Sequence, residues 1–133
     1  MRILLLFLIL TSQLCLAQLG KTKTEILSTE GTNYAHRDIQ TDFTVYSYSG
    51  KIPKLNGEQC NELVSYYINN ETDTCFQVTY AACAAAANSY VKFFDDVAVK
   101  IEANKWKDYG NNSVYTLVVD GQFAYVEHYY GSE

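Results

Sequence analysis

The chain has few of the residues from which catalytic and metal sites are usually built. Among its 133 residues only His36 and His128 are histidines. His128 follows Glu127 directly, and neighbouring strand residues point to opposite faces, so these two form no catalytic dyad. Zinc-ligand spacing, a phosphate-binding glycine loop and a G-x-S-x-G nucleophile motif are all missing. The sequence therefore nominates no catalytic residue, no metal and no cofactor, and it predicts that the protein is not an enzyme.

Positive charge is also scarce. Ten Lys and Arg residues stand against fifteen Asp and Glu residues, which gives a net charge of -5 and a pI near 4.9. Proteins that bind nucleic acids or anionic membranes neutralise phosphates with Lys and Arg. The charge balance therefore argues against both kinds of partner.

The longest apolar run stands at the amino terminus. Arg2 precedes the run Ile3–Leu10, and the small-residue exit Cys15-Leu16-Ala17 follows a short polar patch. This order predicts a secretory signal peptide over residues 1–17. The run is too short for a membrane span, which needs about 20 apolar residues. We expect residues 18–133 to form a single domain, secreted or periplasmic after cleavage.

Three cysteines remain after the predicted cleavage, namely Cys60, Cys75 and Cys83. An odd number in an exported protein implies one disulfide and one free thiol, or a bond between chains. The hairpin expected over 62–80 places Cys60 opposite Ala81, with Cys83 two residues along the same edge. This register favours a Cys60–Cys83 disulfide and leaves Cys75 as a buried structural thiol, which is far commoner than a reactive one.

Two helices are predicted. Thr22-Lys23-Thr24-Glu25 is a capping box, and Gly31 stands where a helix would end, so the first helix covers about 22–30. The second opens with four alanines and covers about 84–96. An apolar stripe from Phe76 to Ile101 also fits one long helix over about 75–103, and the sequence leaves open whether residues 97–103 continue the second helix.

The remaining patterns predict strands and loops. Residues 32–41 are polar and irregular, and residues 50–59, with Pro53, form a loop. Alternating β-branched and aromatic residues indicate five strands, near 43–49, 62–68, 75–80, 114–119 and 122–127. Between the last two, Asp120-Gly121 predicts a two-residue hairpin that pairs Val118 with Phe123 and Tyr115 with Val126.

These elements together predict an α+β domain. The order is α-β-β-β-α-β-β, with an antiparallel sheet of about five strands and two helices. The sequence shows no obvious internal repeat.

The segment Gly20-Lys21-Thr22-Lys23-Thr24-Glu25-Ile26-Leu27, followed by Gly31 and then strands, resembles the start of small bacterial envelope proteins of the SmpA/BamE type and of β-lactamase-inhibitor-like domains. The resemblance implies a short helix leading into an antiparallel sheet, and a role in binding other proteins. The lipid-attachment cysteine of the envelope lipoproteins is missing here. With Tyr66-Tyr67-Ile68-Asn69-Asn70 and Trp106-Lys107-Asp108-Tyr109, the chain also resembles uncharacterised exported proteins of Bacteroidetes-type bacteria.

Twelve tyrosines suggest where a partner binds, because tyrosine is enriched at binding surfaces. Half-buried sheet positions would account for the same residues. The candidate binding residues are Tyr46, Tyr48, Tyr66, Tyr125, Tyr129 and Tyr130. We therefore expect a binding or envelope-structural module with a protein partner. The alternatives are a small-ligand pocket between sheet and helix and, further off, a secreted enzyme or toxin.

Overall fold

The computed structural model of the chain describes residues 18–55 and 58–131, and for residues 51–55, 58 and 59 the backbone alone. The expected signal peptide, residues 1–17, lies outside these ranges. The described elements are helices α1 (Lys23–Glu30) and α2 (Ala87–Val97), the latter preceded by a 3-10 turn (Ala84–Ala86), and strands β1 (His36–Ile39), β2 (Phe43–Leu55), β3 (Glu58–Asn69), β4 (Cys75–Cys83), β5 (Val99–Glu102), β6 (Lys105–Asp108), β7 (Ser113–Asp120) and β8 (Phe123–Tyr130).

All eight of these strands form one antiparallel sheet, in the order β1-β2-β3-β4-β8-β7-β6-β5. The expectation of about five strands is therefore wrong, although the domain still combines helices with an antiparallel sheet. The same unit, a helix followed by a four-stranded meander, occurs twice along the chain. We call α1 with β1–β4 the first half and α2 with β5–β8 the second half. Strands β4 and β8 join the halves at the centre of the sheet.

The strands missing from the expectation are the short ones. β1 falls in a segment expected to be irregular, and β5 and β6 follow α2, which ends at Val97. Each has four residues with mixed charges, so little local pattern marks it, and pairing with a neighbour stabilises it. The loop expected over 50–59 is also wrong, since β2 continues to Leu55. Pro53 is accommodated because it lies in a register shift between Ile52 and Leu55.

Local signals predicted the helix boundaries well. The Thr22 hydroxyl accepts from the Glu25 amide at 3.2 Å, and the Glu25 carboxylate accepts from the Thr22 amide at 2.8 Å. At the other end, Gly31 has φ 92° and donates its N–H to the Leu27 carbonyl. The capping box and the glycine stop are thus both confirmed, because each needs only residues within one turn.

The last hairpin forms with a register two residues from the expected one. Asp120 pairs with Phe123, and Val118 pairs with Tyr125. The loop is Gly121-Gln122, in which only Gly121 has a positive φ, 52°. This matches the hairpin turn that takes glycine at its first loop position. Because the shift is even, every side chain stays on the face that the expected register gave it.

Both described helices pack on the same face of the sheet. Ile26 of α1 lies in a buried cluster with residues of β2, β3 and β4, namely Tyr46, Tyr66, Ile68, Cys75 and Val78. Phe94 of α2 lies in a second cluster with Trp106, Tyr115, Leu117, Ala124 and Val126. Tyr80 of β4 contacts both clusters. We call this the covered face and the opposite side the uncovered face.

The capping box gives a direct test of how α1 is held. We expect Thr22→Ala to lower the free energy of unfolding by about 1 kcal/mol, because it removes the side-chain acceptor for the Glu25 amide. Thr24→Ala is the matched control. Thr24 is exposed in the first turn of α1, two residues after Thr22, and alanine favours helix. Urea unfolding measures both, and equal losses in the two variants would contradict the assigned cap.

Candidate functional site

A polar row crosses the uncovered face from β1 to β6. The in-register residues, strand by strand, are His36, Ser47, Ser65, Thr79, Glu127, Thr116 and Lys105. Ser47 and Ser65 are buried, and their hydroxyls lie 2.8 Å apart. No described helix packs on this row. Its small hydroxyl residues therefore form the floor of the uncovered face.

Tyrosines stand on both sides of this floor. Tyr67 and Tyr129 lie in the next in-register row on one side, which passes through Gln77 of β4. Tyr125 lies in the next row on the other side, which passes through Ala81. Partial burial raises the pKa of Tyr125, as do the neighbouring Tyr67 and Glu127, while a hydrogen bond with Thr79 acts in the opposite direction. The Tyr125 side chain thus links the floor to Tyr67 through hydroxyl groups. Such a surface combines flat apolar rings with polar tips.

Half-buried and exposed apolar side chains extend the uncovered face toward both ends of its strands. At one end Phe43, Tyr67 and Phe76 pack together, with ring centroids 5.9 to 6.1 Å apart. At the other end Leu63 is 40% exposed, Val118 56% and Phe123 63%. Single exposed apolar residues are ordinary, but several on one uncovered face together with tyrosines are typical of an interaction surface.

An open slot lies at the end of β4, beside Cys83. Its volume is about 460 Å³, within the range of small-ligand sites. Leu63, Ala81, Phe123 and the Cys60–Cys83 disulfide contribute to its wall. It is an open slot with one aromatic side chain, whereas the small-ligand alternative calls for a closed cavity lined by Tyr and Phe. We therefore treat the slot as part of the uncovered face.

The structure divides the six candidate tyrosines between the two faces. Tyr46 and Tyr66 are buried beneath α1, and Tyr48 beside them donates its hydroxyl to the Gly31 carbonyl at 2.8 Å. Tyr125 and Tyr129 lie on the uncovered face, half-buried. Tyr130 ends β8 and is exposed, with its hydroxyl next to Gly20. The six are therefore not brought together in one surface.

Sequence reasoning missed several residues of the uncovered face. Tyr67 lies there, one residue after Tyr66, which is buried on the covered face. Phe43, Leu63, Phe76, Val118 and Phe123 were also not nominated. Side chains alternate between the two faces along a strand, so Tyr66 and Tyr67 must lie on opposite faces. This alternation was the available signal, but it assigns each residue to a particular face only when the register is known.

The cysteine assignment is confirmed, although the register behind it is not. Cys60 and Cys83 form a disulfide with Cα atoms 5.8 Å apart, and Cys75 is free and buried. Leu63, three residues beyond Cys60, is the residue that pairs with Ala81. The expected register was wrong because β3 continues to Asn69 and the ladder shifts between Tyr67 and Ile68. Cys83 still reaches Cys60 because β4 ends beside it.

The titratable groups of the described residues are dispersed over both faces of the sheet. Glu127 lies in the floor of the uncovered face, and His128 is buried on the covered face. Burial raises the pKa of the Cys75 thiol to about 11, and its S–H donates to the Gln77 carbonyl at 3.4 Å. Within residues 18–55 and 58–131, no group of three or more His, Cys, Asp and Glu side chains is placed to hold a metal ion.

Comparison with known proteins gives no match for this chain, whether against protein-family models, curated proteins or solved structures. Among the described residues, neither helix has the length and apolar character needed to cross a bilayer.

The burial of Cys75 predicts its reactivity. We expect the native protein to resist alkylation by iodoacetamide at pH 8, because the thiolate is the reactive form and a pKa of about 11 leaves it scarce. In the denatured chain lacking residues 1–17, Cys75 alone should react when no reductant is present. With reductant, Cys60 and Cys83 should react as well, because their disulfide is broken. Mass spectrometry counts the added groups. Rapid labelling of the native protein would contradict the buried placement.

Proposed function

We propose that this protein is an exported binding or envelope-structural module that engages a protein partner through the uncovered face of its sheet. One observation carries the proposal. Both described helices pack on one side of an eight-stranded sheet, and the other side presents tyrosines and exposed apolar residues around a floor of Ser and Thr hydroxyls.

The chemistry of this face favours a protein over a small molecule. Its residues spread across seven strands instead of converging on one enclosed cavity. Tyr, Ser and Thr supply packing area and adaptable hydrogen bonds at little cost in side-chain entropy, as in other protein-binding surfaces. Glu127 is the charged residue near its middle, whereas Asp38, Lys105 and Lys107 lie on the outer strands β1 and β6. The cores of protein interfaces are similarly depleted of charge.

Export is the second part of the proposal. The pattern of residues 1–17 predicts it. The Cys60–Cys83 disulfide is compatible with an oxidising compartment, where such bonds persist. The alternative of a small-ligand pocket between sheet and helix is tested by native mass spectrometry of the purified protein, which would detect such a ligand.

Val118 and Leu63 provide the test of the binding face. We expect Val118→Glu or Leu63→Glu to weaken capture of a saturable partner from the envelope or culture fluid by about tenfold or more, because a carboxylate buried in an interface without a counter-charge is costly. Quantitative affinity capture of the tagged protein, followed by mass spectrometry, measures the loss.

Ile39→Glu is the matched control for this test. Ile39 is also an exposed β-branched strand residue, 64% accessible, but its register partner Thr44 places it on the side of the helices. We expect it to retain the partner. If all three variants capture the partner equally well, or if the control alone loses it, the uncovered face is not the binding surface.

A further inference from the structure

The joint between the two halves is short and central. Seven residue pairs, from Gln77 with Tyr129 to Cys83 with Phe123, connect β4 to β8. No other strand pairing among the described residues connects the first half to the second. We call this pairing the seam. Each half keeps a helix and a hydrophobic cluster on its own side of the seam. Side-chain contacts also cross it on the covered face: Tyr80 contacts both clusters, and the Tyr90 hydroxyl of α2 donates to the Glu62 carboxylate of β3.

His128 occupies one end of the seam on the covered face. It pairs in register with Val78 of β4 on one side and with Tyr115 of β7 on the other. The imidazole stacks on the Tyr115 ring, with centroids 4.0 Å apart and planes 6° from parallel. The residue is 2% exposed, and neither ring nitrogen has a hydrogen-bond partner in the part of the chain that the structure describes.

The surroundings of the imidazole favour its neutral form. Val78 and the Tyr115 ring offer no charge, and Asp108 of β6 is the acidic group that acts on it electrostatically. The Asp108 carboxylate already accepts from the Gly110 amide and from the Asn111 side chain. Burial lowers the pKa of His128 to about 4, and Asp108 only partly opposes the shift. A proton on this ring would be a buried charge without a partner.

We propose that the seam is an acid-sensitive joint, in which protonation of His128 separates β4 from β8 while each half retains its own hydrophobic cluster. Separation gives the imidazole access to water, which a proton on the ring requires. Val78, opposite His128, is the first β4 residue on the covered face that the separation uncovers.

The direction of the pH effect follows from linkage. The closed seam holds His128 neutral, with its pKa near 4 against an ordinary value of 6.5. The closed form therefore has its full stability above pH 6.5, and loses it as the pH falls from 6.5 toward 4. With these values the opening equilibrium constant at pH 5 is about thirtyfold larger than at pH 8.

Amide hydrogen exchange of the intact protein tests this proposal. Protection factors, corrected for the intrinsic pH dependence of exchange, are compared at pH 8 and pH 5. We expect the amides that donate hydrogen bonds across the seam, between β4 and β8, to lose protection by about thirtyfold. The amides that donate between β2 and β3 and between β6 and β7 should keep their protection. Loss of protection throughout the sheet, or no loss at the seam, would overturn the proposal.

Variants of the two histidines separate this effect from general acid titration. His128→Phe keeps a ring on Tyr115 but cannot take a proton, so we expect the acid-induced opening to disappear. His36→Phe is the matched control, because His36 is exposed on edge strand β1, and it should open like the original protein. Acid opening that persists in the folded His128→Phe variant would refute the role of His128.

Proton NMR of the original protein provides a measurement that does not depend on the variants. The ring protons of His128 should show no titration in the closed form between pH 8 and pH 5.5, because burial holds its pKa near 4. A His128 ring that titrates near 6.5 with the seam protected would overturn the proposal, even if the phenylalanine variant failed to fold.

Discussion

The pairing of β4 with β8 is the constraint on which the rest of the structure depends. Each half alone is a four-stranded meander with one helix, and its last strand would be an unprotected edge. The seam pairs these two edges with each other and brings Tyr80 of β4 into contact with both hydrophobic clusters. It also buries Val126 and Ala124 of β8 completely. The shared sheet thus brings the clusters of the two halves into one continuous core.

The arrangement of the halves leaves the sheet with two chemically different sides. Because α1 and α2 lie on the same face, that face holds the large buried residues Trp106, Tyr115 and Ile68. The other face keeps Tyr67, Tyr125 and Tyr129 beside a floor of Ser and Thr. A sheet covered on both sides would have needed those positions to be apolar. The proposed binding role uses the side that folding leaves available, and the seam runs beneath its centre.

Features that depend on a few neighbouring residues were readable from the sequence. The capping box at Thr22 and the stop at Gly31 each involve one turn of chain, so composition and spacing suffice. The final hairpin was also readable, although its loop is Gly121-Gln122 and not Asp120-Gly121. The Cys60–Cys83 pair was also predicted, because two strand ends joined by a hairpin lie close even when the register is three residues off. The four-residue strands β1, β5 and β6 could not be recognised, since neighbouring strands and not their own residues stabilise them.

For the candidate site, the sequence determined that tyrosine would be abundant and that residues two apart on a strand would share a face. Only the tertiary structure decided which of the two faces the helices cover, and so which tyrosines are core and which are available. Tyr46 and Tyr66 differ little from Tyr125 and Tyr129 in local pattern, yet they lie on opposite sides of the sheet. The period of two is a property of each strand by itself, whereas the covered face is set by contacts between residues far apart in the chain.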